Sequence, residues 1–233
     1  MIGIRARLIT GRNTLPAGYV EYRYIKGDYT GGASPVLLSD YVPNLSTKIR
    51  LKVKTAMVLH SASAHGFTDP NFTFVAHPTA DRAWTENCFG LTRWTYQNNS
   101  FYISRGISGN TGISIAPNSE YEIEITQHAG GTIGFAINGT GHNLAGYPES
   151  SLGMAIAKGL PLYGGIIYNH NGTVNKYLYH TGRLYYYRIY EGDTLVRDFV
   201  PCKSPDGTFG MYDLVTGRFF ASATAVAFKG GID

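Results

Sequence analysis

The chain of 233 residues contains 29 glycines and 18 tyrosines, charged residues make up only 15% of it, and its formal net charge is +4. This composition favours a turn-rich β protein over a helical one, because helix surfaces normally use Glu, Lys and Ala. No basic stripe alternates with stacking aromatics, so no nucleic-acid partner is expected. No stretch approaches the ~18–20 apolar residues of a membrane span, so no membrane partner is expected either.

The N-terminal segment is short and basic. Arg5, Arg7 and Arg12 stand where a signal peptide would need an apolar core. We therefore expect synthesis in a cytoplasm without export by the usual route, unless the chain is a processed fragment. We interpret residues 1–17 as an arm, either a frayed terminus or a peptide for anchoring and assembly. Residues 18–233 are interpreted as one domain.

Short apolar or alternating segments separated by turn residues follow the arm. In the clearest one, Ile49, Leu51 and Val53 alternate with cations, which predicts one face on a core and one in water. The cations of this row are Lys48, Arg50, Lys52 and Lys54, which we interpret as a solvated face, with polyanion binding as the alternative. The predicted strands are residues 19–26, 36–41, 47–59, 72–76, 88–95, 100–105, 121–127, 132–137, 154–157, 160–168, 176–179, 184–190, 194–200, 209–214 and 218–220.

The turns between these strands have identifiable chemistry. Asn138-Gly139 is a strong hairpin signal, and Gly192 can take the positive φ that another hairpin needs. Pro201 is expected to end its strand because it has no N–H for the ladder, and residues 141–151 are expected to form a loop. Short strands at regular spacing, with no amphipathic helix and no repeat of fixed period, predict an all-β fold with two packed sheets.

Three segments carry a family signature. They are YVEYRYI at residues 19–25, NLSTKI at residues 44–49, and a closing segment at residues 182–220 with LVRDFVPC, DG and GMYDLVTGRF in order. Together they resemble LamG-like domains of the concanavalin A-like lectin/glucanase superfamily, of the kind common in gut bacteria and their phages. The resemblance covers about residues 18–231. It implies a jelly-roll β-sandwich of two curved antiparallel sheets that binds carbohydrate or serves adhesion.

Carbohydrate binding needs aromatic platforms for sugar faces and polar groups for hydroxyls. Two regions supply such side chains, and each aromatic could equally belong to the core or rim of the sandwich. The candidate residues are Trp84, Trp94, Tyr96, Asn98, Tyr168 and His170. Tyr185, Tyr186 and Tyr187 cannot all face one way, so at least one should lie on a wet or interface surface.

An enzymatic alternative rests on Glu120, Glu122 and Glu124. Alternate residues of a strand share a face, so these carboxylates should line up at intervals of roughly 6.5–7 Å. Laminarinase-type enzymes of the superfamily that the chain resembles use a similar strand, and retaining glycosidases pair two carboxyl groups. Tyr121, Ile123 and Ile125 supply an ordinary core face. We therefore expect the glutamates to form the water-facing side of the strand and not a catalytic site.

The closing segment also contains charged residues that we expect to brace its hairpins. They are Arg188, Arg197, Asp198 and Asp213. Histidines and aspartates between residues 60 and 81 show no recognised ligand spacing, so neither a metal nor another cofactor is expected, and calcium has no support from spacing. Cys88 and Cys202 are interpreted as buried free thiols, with one long-range disulfide left open.

The resemblance, the missing export signal and the basic arm together suggest a setting. We expect a non-enzymatic adhesion protein on a bacteriophage virion, either a capsid-decorating head fibre or a tail receptor-binding component. Its partners would be a capsid or tail protein and a host surface glycan, in a homo-oligomer that could be a trimer. The alternatives are a glycanase, a ligand-free capsid-cementing protein and, for a processed fragment, a bacterial cell-surface module.

Overall fold

The computed structural model describes residues 14–28, 34–44, 46–56, 73–77, 89–94, 100–105, 107–128, 132–144, 159–168, 174–178 and 180–232. All regular structure in these ranges is β-strand. The strands are β1 (Val20–Glu21), β2 (Tyr24–Lys26), β3 (Leu37–Leu38), β4 (Thr47–Lys54), β5 (Thr73–His77), β6 (Phe89–Trp94), β7 (Ser100–Arg105), β8 (Ile107–Ser114), β9 (Glu120–His128), β10 (Thr132–Ile137), β11 (Thr140–Leu144), β12 (Pro161–Tyr163), β13 (Gly165–Tyr168), β14 (Val174–Leu178), β15 (Arg183–Glu191), β16 (Thr194–Lys203), β17 (Phe209–Asp213), β18 (Arg218–Ala221) and β19 (Lys229–Gly231).

Eleven of these strands form one large sheet with the order β11-β10-β9-β4-β15-β16-β17-β18. Three short strands extend it, because β1 pairs with β16 while β2 bridges β15 and β19. A second sheet has the order β14-β13-β5-β6-β7-β8, and β12 pairs with β3 as a small third sheet. Every described strand pair is antiparallel except β13 with β5.

The hydrophobic core lies on one face of the large sheet. Ile49, Leu51 and Val53 of β4 are at most 1% exposed, whereas the cations between them reach solvent. The core cluster continues into β3 and β12 and into Ile115, just after β8 of the second sheet. This layered packing is consistent with a β-sandwich, and the all-β class is confirmed. The jelly-roll connectivity implied by the family resemblance stays a prediction.

Tyr163 ties the small third sheet to the large one. Its hydroxyl donates a hydrogen bond to the Gly182 carbonyl at 2.7 Å and accepts one from the Gly27 N–H at 2.6 Å. Complete burial raises the pKa of Tyr163 far above its ordinary value. The neutral, buried hydroxyl of Tyr163 therefore links the backbone just before β15 to the backbone just after β2.

Three sequence-based expectations about elements are wrong. Residues 141–144 belong to β11 instead of a loop, because β10 and β11 form a tight hairpin through Asn138-Gly139. The polar, glycine-rich β8 was not predicted, since its sequence lacks apolar alternation. Pro201 does not end β16, which continues to Lys203.

The local pairing explains how a strand tolerates Pro201. The Pro201 carbonyl accepts a hydrogen bond from the Tyr22 N–H at 2.9 Å, on the side where β1 has already ended. The N and C=O of one strand residue point to the same side, so the missing N–H also faces this irregular edge. Pairing of β16 with β17 consequently continues through Pro201 opposite Met211.

Candidate functional site

Most of the predicted site residues lie outside the described residues. This holds for Arg5, Arg7 and Arg12 of the arm, for Trp84, Tyr96, Asn98 and His170 of the carbohydrate-binding prediction, and for Cys88. Of the arm, only residues 14–17 are described. Binding through these residues therefore stays a prediction.

Trp94 and Tyr168 are each the last residue of a strand in the second sheet. Strand β5 runs parallel to β13 and antiparallel to β6. The final residues of β6 and β13 therefore lie at opposite ends of that sheet. Trp94 and Tyr168 therefore do not lie side by side at one end of the second sheet.

The outer face of the large sheet brings polar side chains of β9, β4 and β15 together. Arg50 of β4 lies opposite Glu124 of β9, and Lys52 lies opposite Glu122. On the other side of β4, Tyr186 of β15 lies opposite Lys52. As expected, Tyr121, Ile123 and Ile125 face the core while the three glutamates point to the wet side.

A β-bulge in β15 adds a second tyrosine to this outer face. The register shifts between Leu184 and Tyr186, so Tyr185 is an extra residue on its strand. Leu184 and Tyr187 are buried in the core at 0% and 1% exposure, whereas the hydroxyls of Tyr185 and Tyr186 reach glutamates on β9. The prediction that the three tyrosines cannot all face one way is confirmed.

Each glutamate of β9 has a defined partner on the outer face. The Tyr186 hydroxyl donates to Glu122 Oε1 at 2.7 Å, and the Tyr185 hydroxyl donates to Glu120 Oε1 at 2.9 Å. Lys52 forms an ion pair with Glu120 at 2.8 Å. Arg50 donates from both Nε and Nη2 to Glu124 Oε2, at 2.9 and 2.6 Å.

An open depression with a volume of about 430 Å³ lies between β4, β9 and the β10–β11 turn. Its lining residues are Arg50, Glu122, Ile123, Glu124, Ala136, Asn138 and Gly139. We call this the outer-face depression. The small residues Ala136 and Gly139 keep the depression open. Apart from the chain neighbours of Gly139, no atom lies within 4 Å of the position that a Cβ would take there.

The β10–β11 turn fixes the far wall of the depression. Asn138 and Gly139 both have positive φ, 50° and 82°, which is the signature of a two-residue hairpin loop. Asn138 Oδ1 accepts the Glu122 N–H at 2.9 Å, and the Asn138 N–H donates to the Glu122 carbonyl at 2.8 Å. The amide is thereby held beside the carboxylates of β9.

Several polar atoms of the outer-face depression retain hydrogen-bonding capacity. Within the part of the chain that the structure describes, Glu122 uses only Oε1 and Glu124 only Oε2 of its carboxylate. The Asn138 Nδ2 donor likewise has no acceptor there. The depression therefore offers acceptors and donors side by side on an open surface.

The electrostatics of the face favour the ionised form of Glu120. The hydrogen bond and ion pair with Lys52 lower the pKa of Glu120 below its ordinary range. The hydrogen bonds to Glu124 raise the pKa of Arg50. Burial, and then the hydrogen bond to Glu122, raises the pKa of Tyr186, so this hydroxyl remains a neutral donor at physiological pH.

The charged residues predicted to brace the closing hairpins do so. Arg188 Nε lies 2.9 Å from Asp198 Oδ1, and Arg197 Nε lies 3.4 Å from Asp213 Oδ2. Asp213 is completely buried and accepts the Asp198 N–H at 2.9 Å. Removal of these residues should affect folding before it affects any ligand.

Cys202 is a buried free thiol, as one of the two interpretations expected. Burial raises its pKa to about 12. Among the described residues, no group of three or more His, Cys, Asp or Glu side chains is placed to hold a metal ion. No helix in the same residues is long and apolar enough to cross a membrane.

No family model matches the chain, and a search of the curated proteins finds no matching sequence. The LamG-like resemblance therefore stays a prediction.

Sequence reasoning found the glutamates of this face but missed Arg50, Asn138 and Tyr186 as their site partners. The sequence alone places Arg50 in a row of cations, Asn138 in a turn and Tyr186 on a face that it does not decide. The sequence carries no signal for the register of β4 between β9 and β15. That register brings Arg50 and Glu124 together although they are 74 positions apart in the sequence.

Proposed function

We propose that this protein is a non-enzymatic carbohydrate-binding module and that the outer-face depression is its sugar site. One observation carries the proposal. Around the outer-face depression, Glu122 and Glu124 each have one carboxylate oxygen without a hydrogen bond among the described residues, and an amide and a guanidinium lie beside them. Carbohydrate sites need this mixture, because each sugar hydroxyl both donates and accepts a hydrogen bond.

The support is strongest at Glu122 and Asn138. Glu122 Oε1 is held by Tyr186, which fixes the carboxylate and leaves its other oxygen for a hydroxyl donor. Asn138 is fixed through its Oδ1 and its backbone, which leaves the amide nitrogen for a hydroxyl acceptor. Such prior fixing lowers the entropy lost when a ligand orders the site.

Glycoside hydrolysis by the same glutamates is the alternative function, and the geometry of the site supports it less. A glycosidase needs one carboxyl that stays protonated as the general acid. The pKa of Glu120 is lowered by Lys52, which is the opposite of this requirement. Two hydrogen bonds from Arg50 occupy one oxygen of Glu124.

The family resemblance supports a setting for this module. We place it on a phage virion as a head fibre or tail component that binds a host surface glycan, with a capsid or tail protein and further copies of the chain as partners. The basic arm with Arg5, Arg7 and Arg12 would then serve assembly.

A screen of bacterial surface polysaccharides followed by titration of the best ligand tests the proposal. Glu122→Gln removes the negative charge and one acceptor, so we expect affinity to fall by about tenfold or more, as for the loss of a charged hydrogen-bond partner. Glu21→Gln on the exposed strand β1 is the matched control and should bind like the wild type. No polysaccharide binding, or unchanged binding by Glu122→Gln, would overturn the proposed site.

Reducing-sugar release from the same ligand separates the two functions. A binding module leaves the polysaccharide intact. Release by the wild type that is abolished in Glu122→Gln would replace the binding proposal with the enzymatic one.

A further inference from the structure

Four cations lie side by side in one cross-strand row of the large sheet. Lys26 of β2 is directly opposite Lys229 of β19 on one side and Arg183 of β15 on the other. Arg183 is in turn directly opposite Lys54 of β4. We call these four residues the basic row. Directly opposite residues of antiparallel strands share a face, so the row crosses four adjacent strands that lie ≈ 4.7–4.9 Å apart.

Such an arrangement departs from ordinary sheet chemistry. Like charges directly opposite each other destabilise a strand pair. Elsewhere on the same sheet, Arg50 lies beside the carboxylate of Glu124. Among the described residues, no carboxylate lies within ion-pair distance of Arg183 or Lys54, and Glu120, directly opposite Lys54, pairs with Lys52 instead. Local violations of this kind are expected where a surface has a function.

Two buried tyrosines hold the cations of this region in place. The Arg183 guanidinium lies 4.1 Å from the Tyr24 ring centroid, and Lys52 Nζ lies 5.2 Å from that of Tyr185. Arg23 lies 5.8 Å from the Tyr185 centroid as well. The two rings contact each other edge to face at 5.8 Å. Of the basic row, Arg183 is therefore positioned by a cation–π contact before any partner arrives, as are Arg23 and Lys52 beside the row.

Cations outnumber carboxylates in this region. The basic row with Arg23 and Lys52 contributes six cations, and the carboxylates that pair with them are Asp28 and Glu120. An anionic partner would gain from this excess of positive charge.

We propose that the basic row binds a linear acidic polysaccharide, laid across the strands so that its carboxylates or other acidic groups meet successive cations. This rests on the proposed carbohydrate-binding function and names its substrate class. The row shares the outer face with the depression, since Glu120, Glu122 and Glu124 belong to one strand. Beyond Lys54 the same cross-strand line meets the carboxylate of Glu120 on β9, so we expect the acidic groups of the polymer to lie over β19, β2, β15 and β4.

The surface fits an acidic sugar polymer better than a nucleic acid. Single-stranded nucleic acids bind by stacking bases on exposed aromatic rings. Tyr24 and Tyr185 are only 4% and 9% exposed, and Arg183, Arg23 and Lys52 lie over their rings. A double helix carries one charge per ≈ 1.7 Å of axis, a density that a row of one cation per strand does not match.

The test compares polygalacturonate with its methyl-esterified form, which has the same sugar backbone without the charges. The Lys54→Gln/Lys229→Gln variant removes two cations from the row. Lys48→Gln/Lys203→Gln removes the same charge from β4 and β16 outside the row and is the matched control. Thermal unfolding of both variants is measured first, to check that they remain folded. We expect polygalacturonate affinity to fall by about tenfold in the row variant, to stay near wild type in the control, and to weaken with salt.

Each outcome bears on one proposal or the other. Equal loss in both double variants, or equal binding of the charged and esterified polymers, would overturn the role of the basic row. Preferential binding of a single-stranded oligonucleotide would assign the row to nucleic acid and overturn the proposal as well. If neutral polysaccharides bind while polygalacturonate does not, the basic-row proposal fails and the carbohydrate-binding function stands. If no polysaccharide of either kind binds, both fail.

Discussion

The Tyr186 hydroxyl donates a hydrogen bond of 2.7 Å to Glu122, across the strand that separates β15 from β9. The Tyr186 side chain reaches over β4 because the bulge in β15 places Tyr186 opposite Lys52, on the outer face of the sheet. Arg188 lies 4.7 Å from the same ring centroid and holds it from the side. One tyrosine thus orients the carboxylate on which the proposed sugar site depends.

This bond predicts a particular alkaline instability. Burial and Glu122 raise the pKa of Tyr186, so the folded state keeps the proton that the unfolded chain releases near pH ~10. Stability from this group is fully present below that pH and is lost as pH rises toward the folded pKa. Tyr186→Phe should flatten the decline of unfolding free energy above pH ~10. The unfolding free energy of both proteins can be measured by urea denaturation at a series of pH values. The same decline with pH in both proteins would contradict the prediction.

The Arg50–Glu124 pair should contribute little to stability despite its two hydrogen bonds. Its side chains are 44% and 29% exposed, and surface pairs usually contribute ~0.2–1 kcal/mol. A double-mutant cycle with Arg50→Gln and Glu124→Gln should give a coupling energy in that range that decreases with added salt. A coupling of about 3 kcal/mol would show a buried pair instead.

Asp213 should be far more sensitive than the surface carboxylates. It is completely buried and accepts hydrogen bonds from the Asp198 and Val215 N–H groups at 2.9 and 3.0 Å. Asp213→Ala leaves those donors without their acceptor and removes one of the two carboxylates that pair with Arg197, so we expect a loss of about 3–5 kcal/mol in chemical denaturation. Asp193→Asn at the exposed β15–β16 turn is the control and should stay within about 0.5 kcal/mol. Similar effects of the two would refute the bracing role.

Cys202 should be protected from thiol reagents. Its burial is complete, and its pKa is raised to about 12, so little reactive thiolate forms at neutral pH. In a Cys88→Ser variant, we expect no labelling of the native protein and complete labelling in denaturant. Rapid labelling of the native variant would show that Cys202 is accessible.

The alternation along residues 47–54 and 120–125 was enough to predict which side chains face the core and which face water. It could not show that Arg50 meets Glu124, because that contact depends on which strands become neighbours and in which register. The acid and base of the pair are distant in sequence, and neither segment carries a marker of its partner.

The bulge in β15 was also beyond sequence reasoning. Strict alternation would place Tyr185 and Tyr187 on the same side, but the extra residue sends Tyr185 outward with Tyr186. The sequence does not reveal the basic row for a related reason: its four cations come from four strands that are adjacent in the sheet but separate in the sequence. Turn chemistry was more informative, because Asn138-Gly139 forms the predicted hairpin with both φ angles positive.

The most direct test of the proposed sugar site uses two asparagines with nearly the same positive φ. Asn138 at the depression has φ of 50°, and Asn118 in a turn outside the depression has φ of 51°. Glycine accepts both conformations, so Asn138→Gly and Asn118→Gly each remove one side-chain amide without backbone strain. Calorimetric titration with the best polysaccharide ligand should show affinity reduced by about tenfold in Asn138→Gly and unchanged in Asn118→Gly. Equal affinities for wild type and Asn138→Gly would contradict the assignment of the outer-face depression as the site.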